Sequence, residues 1–195
     1  MSSAEPQPRI LRTSDGRIAL RLVPREREIL AALAAELAAE AKADREPGAG
    51  PVDEGLARLR PDAVKGDVTA SAAFRELTGT DLEDARAARF ATVAATIESV
   101  SLDEAQAAAW LGAVNDLRLV HGTRLGVTEE TGAGPVDETD PDAGRTIAFL
   151  WLGWIEEQLV EALAAGLPEV ADSDESAEPD EPTEPDDPVD PDEAP

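Results

Sequence analysis

The sequence predicts a mainly α fold: a helical bundle with a small N-terminal β-hairpin and a disordered acidic C-terminal tail. Three observations carry this expectation. Apolar residues recur at spacings of three and four along four long segments separated by Gly and Pro. An Asp15-Gly16 dipeptide lies between two short alternating runs near the start. The last 28 residues hold 13 acidic residues, 7 of the 15 prolines and no Lys or Arg. Such a composition cannot bury enough apolar surface to offset chain entropy. The expected organisation is a flexible start over 1–8, a helical domain with its hairpin over 9–167, and the tail over 168–195.

Arg9 to Val23 reads as the hairpin, with Ile10, Arg12, Ile18, Leu20 and Leu22 in partial alternation about the turn. Two strands alone are marginal in water, so the ribbon must pack on helices. Pro24 suits the first position of a helix, where its missing N–H is not needed. From there to about Asp44, Ile29, Leu30, Leu33, Ala34, Leu37 and Ala41 make one apolar face, ended by Pro47-Gly48 and Gly50-Pro51. Asp53–Leu59 is a short helix stopped by Pro61, and 62–67 is loop. Thr69–Leu77 is another short helix, with Phe74 and Leu77 inward and a break at Gly79.

Two capping boxes then predict helix starts, Thr80 with Glu83 and Ser101 with Glu104. The first helix runs to about Glu98 with Leu82, Phe90, Val93 and Ile97 on its core side. The second ends near Leu125-Gly126, where Gly suits the left-handed residue past a helix end. Thr128 to Gly144 reads as an exposed loop. Arg145 to Ala165 is apolar on more than one face, which suits the centre of a bundle or a contact with a second copy.

Net charge is -25, about half of it in the tail; the other 167 residues hold 29 acids against 17 bases. The field of such a chain repels nucleic acid unless a local basic patch exists. There is no cysteine, which excludes disulfides, thiolate metal sites and a thiol switch in this chain. No run of about 18 apolar residues spans a membrane, and MSSAEPQPRI lacks a signal-peptide core. The expected location is the cytoplasm.

Chemistry concentrates in WLGAVNDLRLVHGTRLGV, Trp110 to Val127. Arg118 falls on or beside the stripe of Leu111, Val114 and Leu125, and a guanidinium there needs a partner. Glu156 and Glu157 are candidates; adjacent helical residues point about 100° apart, so one of them faces inward. Asn115, Asp116, Arg118 and Arg124 form the candidate motif, read as shaping the fold in preference to lining a contact surface. The lone His121 has no second His or Cys with which to hold a metal. Ser101 is explained by capping, and Gly48-Ala-Gly50 and Gly132-Ala-Gly134 lack the strand, helix and Lys of a phosphate loop. The expectation is therefore no catalytic residue, no metal and no cofactor.

Arg9, Arg12, Arg17, Arg21, Arg25 and Arg27 gather at the start. They read first as a solvated strand face, and second as a surface for phosphates, an acidic partner or the chain's own tail. Trp110 and Trp151 read as core, and Trp154 as a residue of a protein–protein contact.

The words LARLRPDA (Leu56–Ala63), AAFRELT followed by DLEDAR (Ala72–Arg86), WLGAVNDLRLVHGTRLGVTEE (Trp110–Glu130) and FLWLGWIEEQLVEAL (Phe149–Leu163) are similar, in order and spacing, to one family. It is the actinobacterial domain-of-unknown-function family that includes the oxidative-stress regulator AosR. The resemblance covers roughly residues 9–165. It implies a helical cytoplasmic protein without known catalysis, and in one branch a transcriptional role through contact with a sigma factor and cysteine-based sensing. This chain has no cysteine, so that sensing does not carry over.

The leading functional expectation is a non-enzymatic regulatory protein acting through protein contacts, with a sigma factor as candidate partner and a homodimer as a further option. The alternative is direct DNA binding through the Arg-bearing hairpin. An enzyme on a helical scaffold comes third, because titratable groups do not cluster.

Overall fold

The computed structural model describes residues 8–44, 53–60, 67–128, 136 and 139–167, with backbone alone for 68–78. The acidic tail, both Gly-Ala-Gly segments and the inward placement of Phe74 and Leu77 lie outside what is described.

Strands β1 (Ile10–Arg12) and β2 (Ile18–Leu20) pair antiparallel, Ile10 opposite Leu20 and Arg12 opposite Ile18. Gly16 turns between them at φ 82. A third strand, β3 (Ser101–Leu102), joins β2, with Ile18 opposite Leu102, so the ribbon is a three-stranded sheet in the order β1-β2-β3. Ile10, Ile18, Leu20 and Leu102 are all buried. The hairpin gains its needed third partner from a stretch expected to begin a helix. The edge of β1 is covered as well: Gln158 Oε1 accepts from the backbone N–H of Arg9 and, at 3.0 Å, of Ile10.

Helix α1 (Pro24–Ala43) starts with Pro24 in its first turn, and the Glu26 carboxylate accepts from the Val23 N–H at 2.7 Å. Its buried residues are Leu30, Ala34 and Leu37. The short α2 (Glu54–Arg58) is capped by Asp53, whose carboxylate accepts from Leu56 N.

Helix α3 (Val68–Thr96) corrects the sequence reading, because it runs unbroken through Gly79. A single glycine costs a helix only about 1 kcal/mol. The Thr80–Glu83 box therefore lies inside a helix and starts nothing. Leu82, expected inward, is 55% exposed, while Phe90 and Val93 are buried.

Helix α4 (Glu104–Arg124) also starts later than expected. Asp103 and Gln106 form the capping box, and Ser101 is in β3. At the far end Gly126 is left-handed at φ 67, with Val127 N donating to Gly122 O and Gly126 N to Thr123 O, a Schellman closure. Ala107, Trp110, Ala113, Val114, Leu117, Val120 and Gly122 are buried. α4 touches every other helix, which makes it the centre of the bundle.

The last helix, α5 (Ala143–Ala164), read from sequence as the centre of the bundle or a contact with a second copy, lies to one side of α4. It packs on α4 and β1 through Leu152, Ile155, Leu159 and Ala162, and leaves Ile147, Leu150 and Val160 exposed. The buried residues of α4 are spread over several faces, whereas those of α5 recur at spacings of three and four and lie on one side.

Candidate functional site

Successive residues of α4 serve different neighbours. Asp116 points at α3. Its carboxylate Oδ2 lies 3.3 Å from both Arg86 Nε and Arg89 Nη2. Arg86 also donates to Leu59 O at 2.9 Å and so ties α2 into the seam. Asp116 is buried, and desolvation raises its pKa above the usual carboxylate value even with two guanidinium groups beside it. Arg86 and Arg89 were missed from sequence. They are three apart on a helix and so share a face, a signal that could have found them.

Arg124, at the end of α4, bridges α1 and the cap of α2. It lies 2.8 Å from Glu40 and 3.0 Å from Asp53. Burial opposes ionisation of Asp53, but the hydrogen bonds from Arg124 and from Leu56 N outweigh it, and its pKa is lowered. His121 is half-buried one turn earlier. Burial first, and the Arg124 and Arg145 charges, hold its pKa below the ordinary value against the opposing pull of Glu36 and Glu40. Its Nδ1 is shielded from solvent and has no hydrogen-bond partner. Among the described residues, no group of three His, Cys, Asp or Glu side chains is placed to hold a metal.

Arg118 takes the partner expected for it. Nη1 pairs with Glu156 Oε2, and the guanidinium lies over Phe149 with its central carbon 5.3 Å from the ring centroid. Glu157, the other candidate, points away to solvent. Gly122 makes the stack possible: a Cβ there would come within 2.9 Å of the Phe149 ring. Asn115, Arg118, Leu119 and Gly122 fall at i, i+3, i+4 and i+7, on one face of α4. With Arg58, Thr123, Val127, Thr128 and Phe149 they line a shallow hollow of about 300 Å³. The four-residue motif read from sequence thus divides. Asp116 and Arg124 hold helices together, whereas Asn115 is exposed and shares the hollow with Arg118.

Most of the arginines gathered at the start are engaged by other protein groups. Arg9 meets Glu26 at 3.5 Å, and Arg12 meets Glu104 at 3.3 Å. Arg17 donates to Ser101 Oγ at 2.8 Å and to Ser101 O. Arg27 gathers the carbonyls of Leu20, Leu22, Ile97 and Ser99, joining the sheet to the end of α3. Arg25 pairs with Glu28 on the surface. Arg21 is exposed and makes no side-chain pair among the described residues.

Two apolar features remain open. A groove of about 530 Å³ runs between α1 and α3, lined by Ala31, Ala35, Ala38, Ala91, Ala94 and neighbours, with Lys42, Arg60, Glu83 and Arg86 at one end. The outer side of α5 carries Ile147 and Leu150, with Trp151 and Trp154 half-buried against the core. Trp110 is fully buried, and its Nε1 donates to Thr96 Oγ1 at 2.8 Å.

Fold and site together define a helical domain organised round α4, whose interior charges are paired and whose open surfaces are apolar or arginine-lined. The chain belongs to the family described as a domain of unknown function, DUF2017, whose model matches residues 7–163. No curated protein and no solved structure matches it. Among the described residues, no helix is long and apolar enough to cross a membrane.

Proposed function

We propose that the chain is a non-enzymatic regulatory protein of the cytoplasm that works through protein contacts, with a sigma factor as its partner. One observation carries the reading. The charges set into α4 are engaged by Arg86, Arg89, Glu156, Glu40 and Asp53, while the outer side of α5 leaves Ile147 and Leu150 in water and the α1–α3 groove opens an apolar surface lined mainly by alanines. Apolar surface of that kind, bordered by polar residues, is what protein partners cover. The sigma-factor partner is suggested by the resemblance of the Trp110–Glu130 and Phe149–Leu163 words alone. A redox signal sensed by thiols is not part of the proposal, since the chain has no cysteine.

Direct DNA binding is supported less well. Four of the six hairpin arginines reach groups on other elements, and Arg25 is paired with Glu28, which leaves Arg21. The enzyme reading needs perturbed ionisable groups in a hollow. Asp116 and His121, whose ionisation is shifted, line neither of the two hollows described.

Affinity purification of the full chain from its native host, beside the double variant Ile147→Glu, Leu150→Glu, tests the reading. A sigma factor retained by the wild-type chain and lost by the variant supports it. Equal retention by both removes α5 from the contact. A chain that retains no protein but binds duplex DNA with steep salt dependence overturns the reading in favour of the hairpin.

A further inference from the structure

We propose that the hollow between Arg58, Asn115, Arg118 and Phe149 is a binding site for a small organic monocarboxylate with an apolar body. The inference is independent of the partner-protein reading and begins with unmatched donors. Arg58, exposed on α2, makes no ion pair or hydrogen bond among the described residues. Arg118 also lines the hollow; its Nη1 reaches Glu156, and its Nε is packed against Gly153 of α5. The Asn115 side chain, one turn before Arg118, is, like Arg58, without a partner among the described residues. Arginine forks and an amide converging on one hollow suit a carboxylate.

Local charge selects the valence. Arg58 and Arg118 supply two positive charges and Glu156 returns one negative, so one anionic charge is balanced and a second is not. This favours a monocarboxylate over a phosphate dianion. The walls select the body. Phe149, Leu119, Val127 and the bare Gly122 backbone supply apolar lining beside the donors, and about 300 Å³ lies at the small end of ligand pockets. The hollow is also built. Phe149 is seated against Gly122, the Arg118 guanidinium lies across the ring, and the Schellman closure from Val127 N to Gly122 O turns Val127 back over the helix end. A site held by three elements in this way is preorganised, which lowers the cost of binding.

The test uses the full chain, isotopically labelled, with the arginine Nε–H signals followed by NMR and affinity measured by calorimetry. Sodium benzoate is the main probe, with acetate and inorganic phosphate as comparisons. The expected result is saturable movement of the Arg118 Nε–H signal by benzoate, with acetate and phosphate binding more weakly. Arg58→Ala, an exposed change that leaves the fold intact, should weaken benzoate about tenfold or more, and Asn115→Ala less. The proposal is overturned by no saturable shift with benzoate, by unchanged benzoate affinity in Arg58→Ala, or by phosphate binding more tightly than benzoate. The chain's own tail is the other source of carboxylates. If replacing the acidic residues of 168–195 by Asn and Gln moves the Arg58 and Arg118 signals before any probe is added, the occupant is the tail and the small-molecule site is rejected.

Discussion

The guanidinium of Arg118 lies on the face of Phe149, 5.3 Å from its centroid, while its Nη1 holds Glu156. One side chain of α4 therefore grips α5 twice, two turns apart on α5, by a cation–π contact and by an ion pair. Gly153 sits between the two, with the position of its missing Cβ 3.4 Å from Arg118 Nε. A double-mutant cycle with Arg118→Met and Glu156→Gln should return a coupling of about 1 kcal/mol, since both groups are only partly shielded. Arg118→Met alone should cost more than Glu156→Gln alone, because it strands the better-buried carboxylate and uncovers Phe149. Urea unfolding of the four proteins measures this. Additive single effects would show that the pair is not a stabilising contact.

Asp116 makes a counter-intuitive prediction. Its carboxyl is held above the usual value of 3.8 by burial, even with Arg86 and Arg89 at 3.3 Å. A carboxyl with a raised folded-state pKa binds its proton more tightly in the fold than in the unfolded chain. Its stabilising contribution is then greatest at low pH and declines as pH rises from 3.8 to the raised folded value. The isosteric Asp116→Asn should accordingly cost little at pH 7, within about 1 kcal/mol, whereas Asp116→Ala leaves both arginines without an acceptor and should cost about 2 to 4 kcal/mol. The stability of wild type relative to Asp116→Asn, from urea midpoints at several pH values, should fall with rising pH across that window. A relative gain would mean that the two guanidinium charges outweigh burial.

The helices were legible because apolar spacing, Pro24 and Gly126 mark their faces and ends with residues whose backbone preferences are strong. The Arg118–Glu156 pair was legible for a related reason: a cation on an apolar stripe forces a partner, and only one of two adjacent acids can face it. Short or remote features escaped. β3 is two residues long, too short to show alternation, and exists because β2 offers it an edge. The partners of Asp116 lie 27 and 30 residues away on a helix that reads from sequence as two, although Gly79 is only a weak breaker inside an otherwise favourable run. The covering of β1 by Gln158 depends on where α5 docks, which local sequence does not encode.

His121 gives acid sensitivity of the opposite kind. Burial and the Arg124 and Arg145 charges keep its pKa below 6.5, with Glu36 and Glu40 opposing, so the fold prefers the neutral ring. A depressed folded-state pKa contributes stability that is complete above about 6.5 and is lost as pH falls from there through the folded value. Thermal midpoints of wild type should therefore drop between pH 7 and pH 5 more steeply than those of His121→Gln, which does not titrate. Parallel slopes would place the acid sensitivity elsewhere.

Two glycine replacements separate helix propensity from packing. Gly79 lies inside α3, with nothing within 4 Å of the position a Cβ would take. Gly79→Ala should stabilise the protein by about 0.5 to 1 kcal/mol, because alanine loses less backbone entropy in a helix. Gly122 has the same helical backbone but faces Phe149 Cε2 at 2.9 Å from that position. There the propensity gain is opposed by displacement of the ring on which Arg118 rests, and overpacking typically costs about 1 to 3 kcal/mol. Gly122→Ala should destabilise and should also disturb the Arg118 Nε–H signal, whereas Gly79→Ala should leave that signal unmoved. If Gly79→Ala destabilised instead, α3 would not be continuous at that residue and the break expected from sequence would stand.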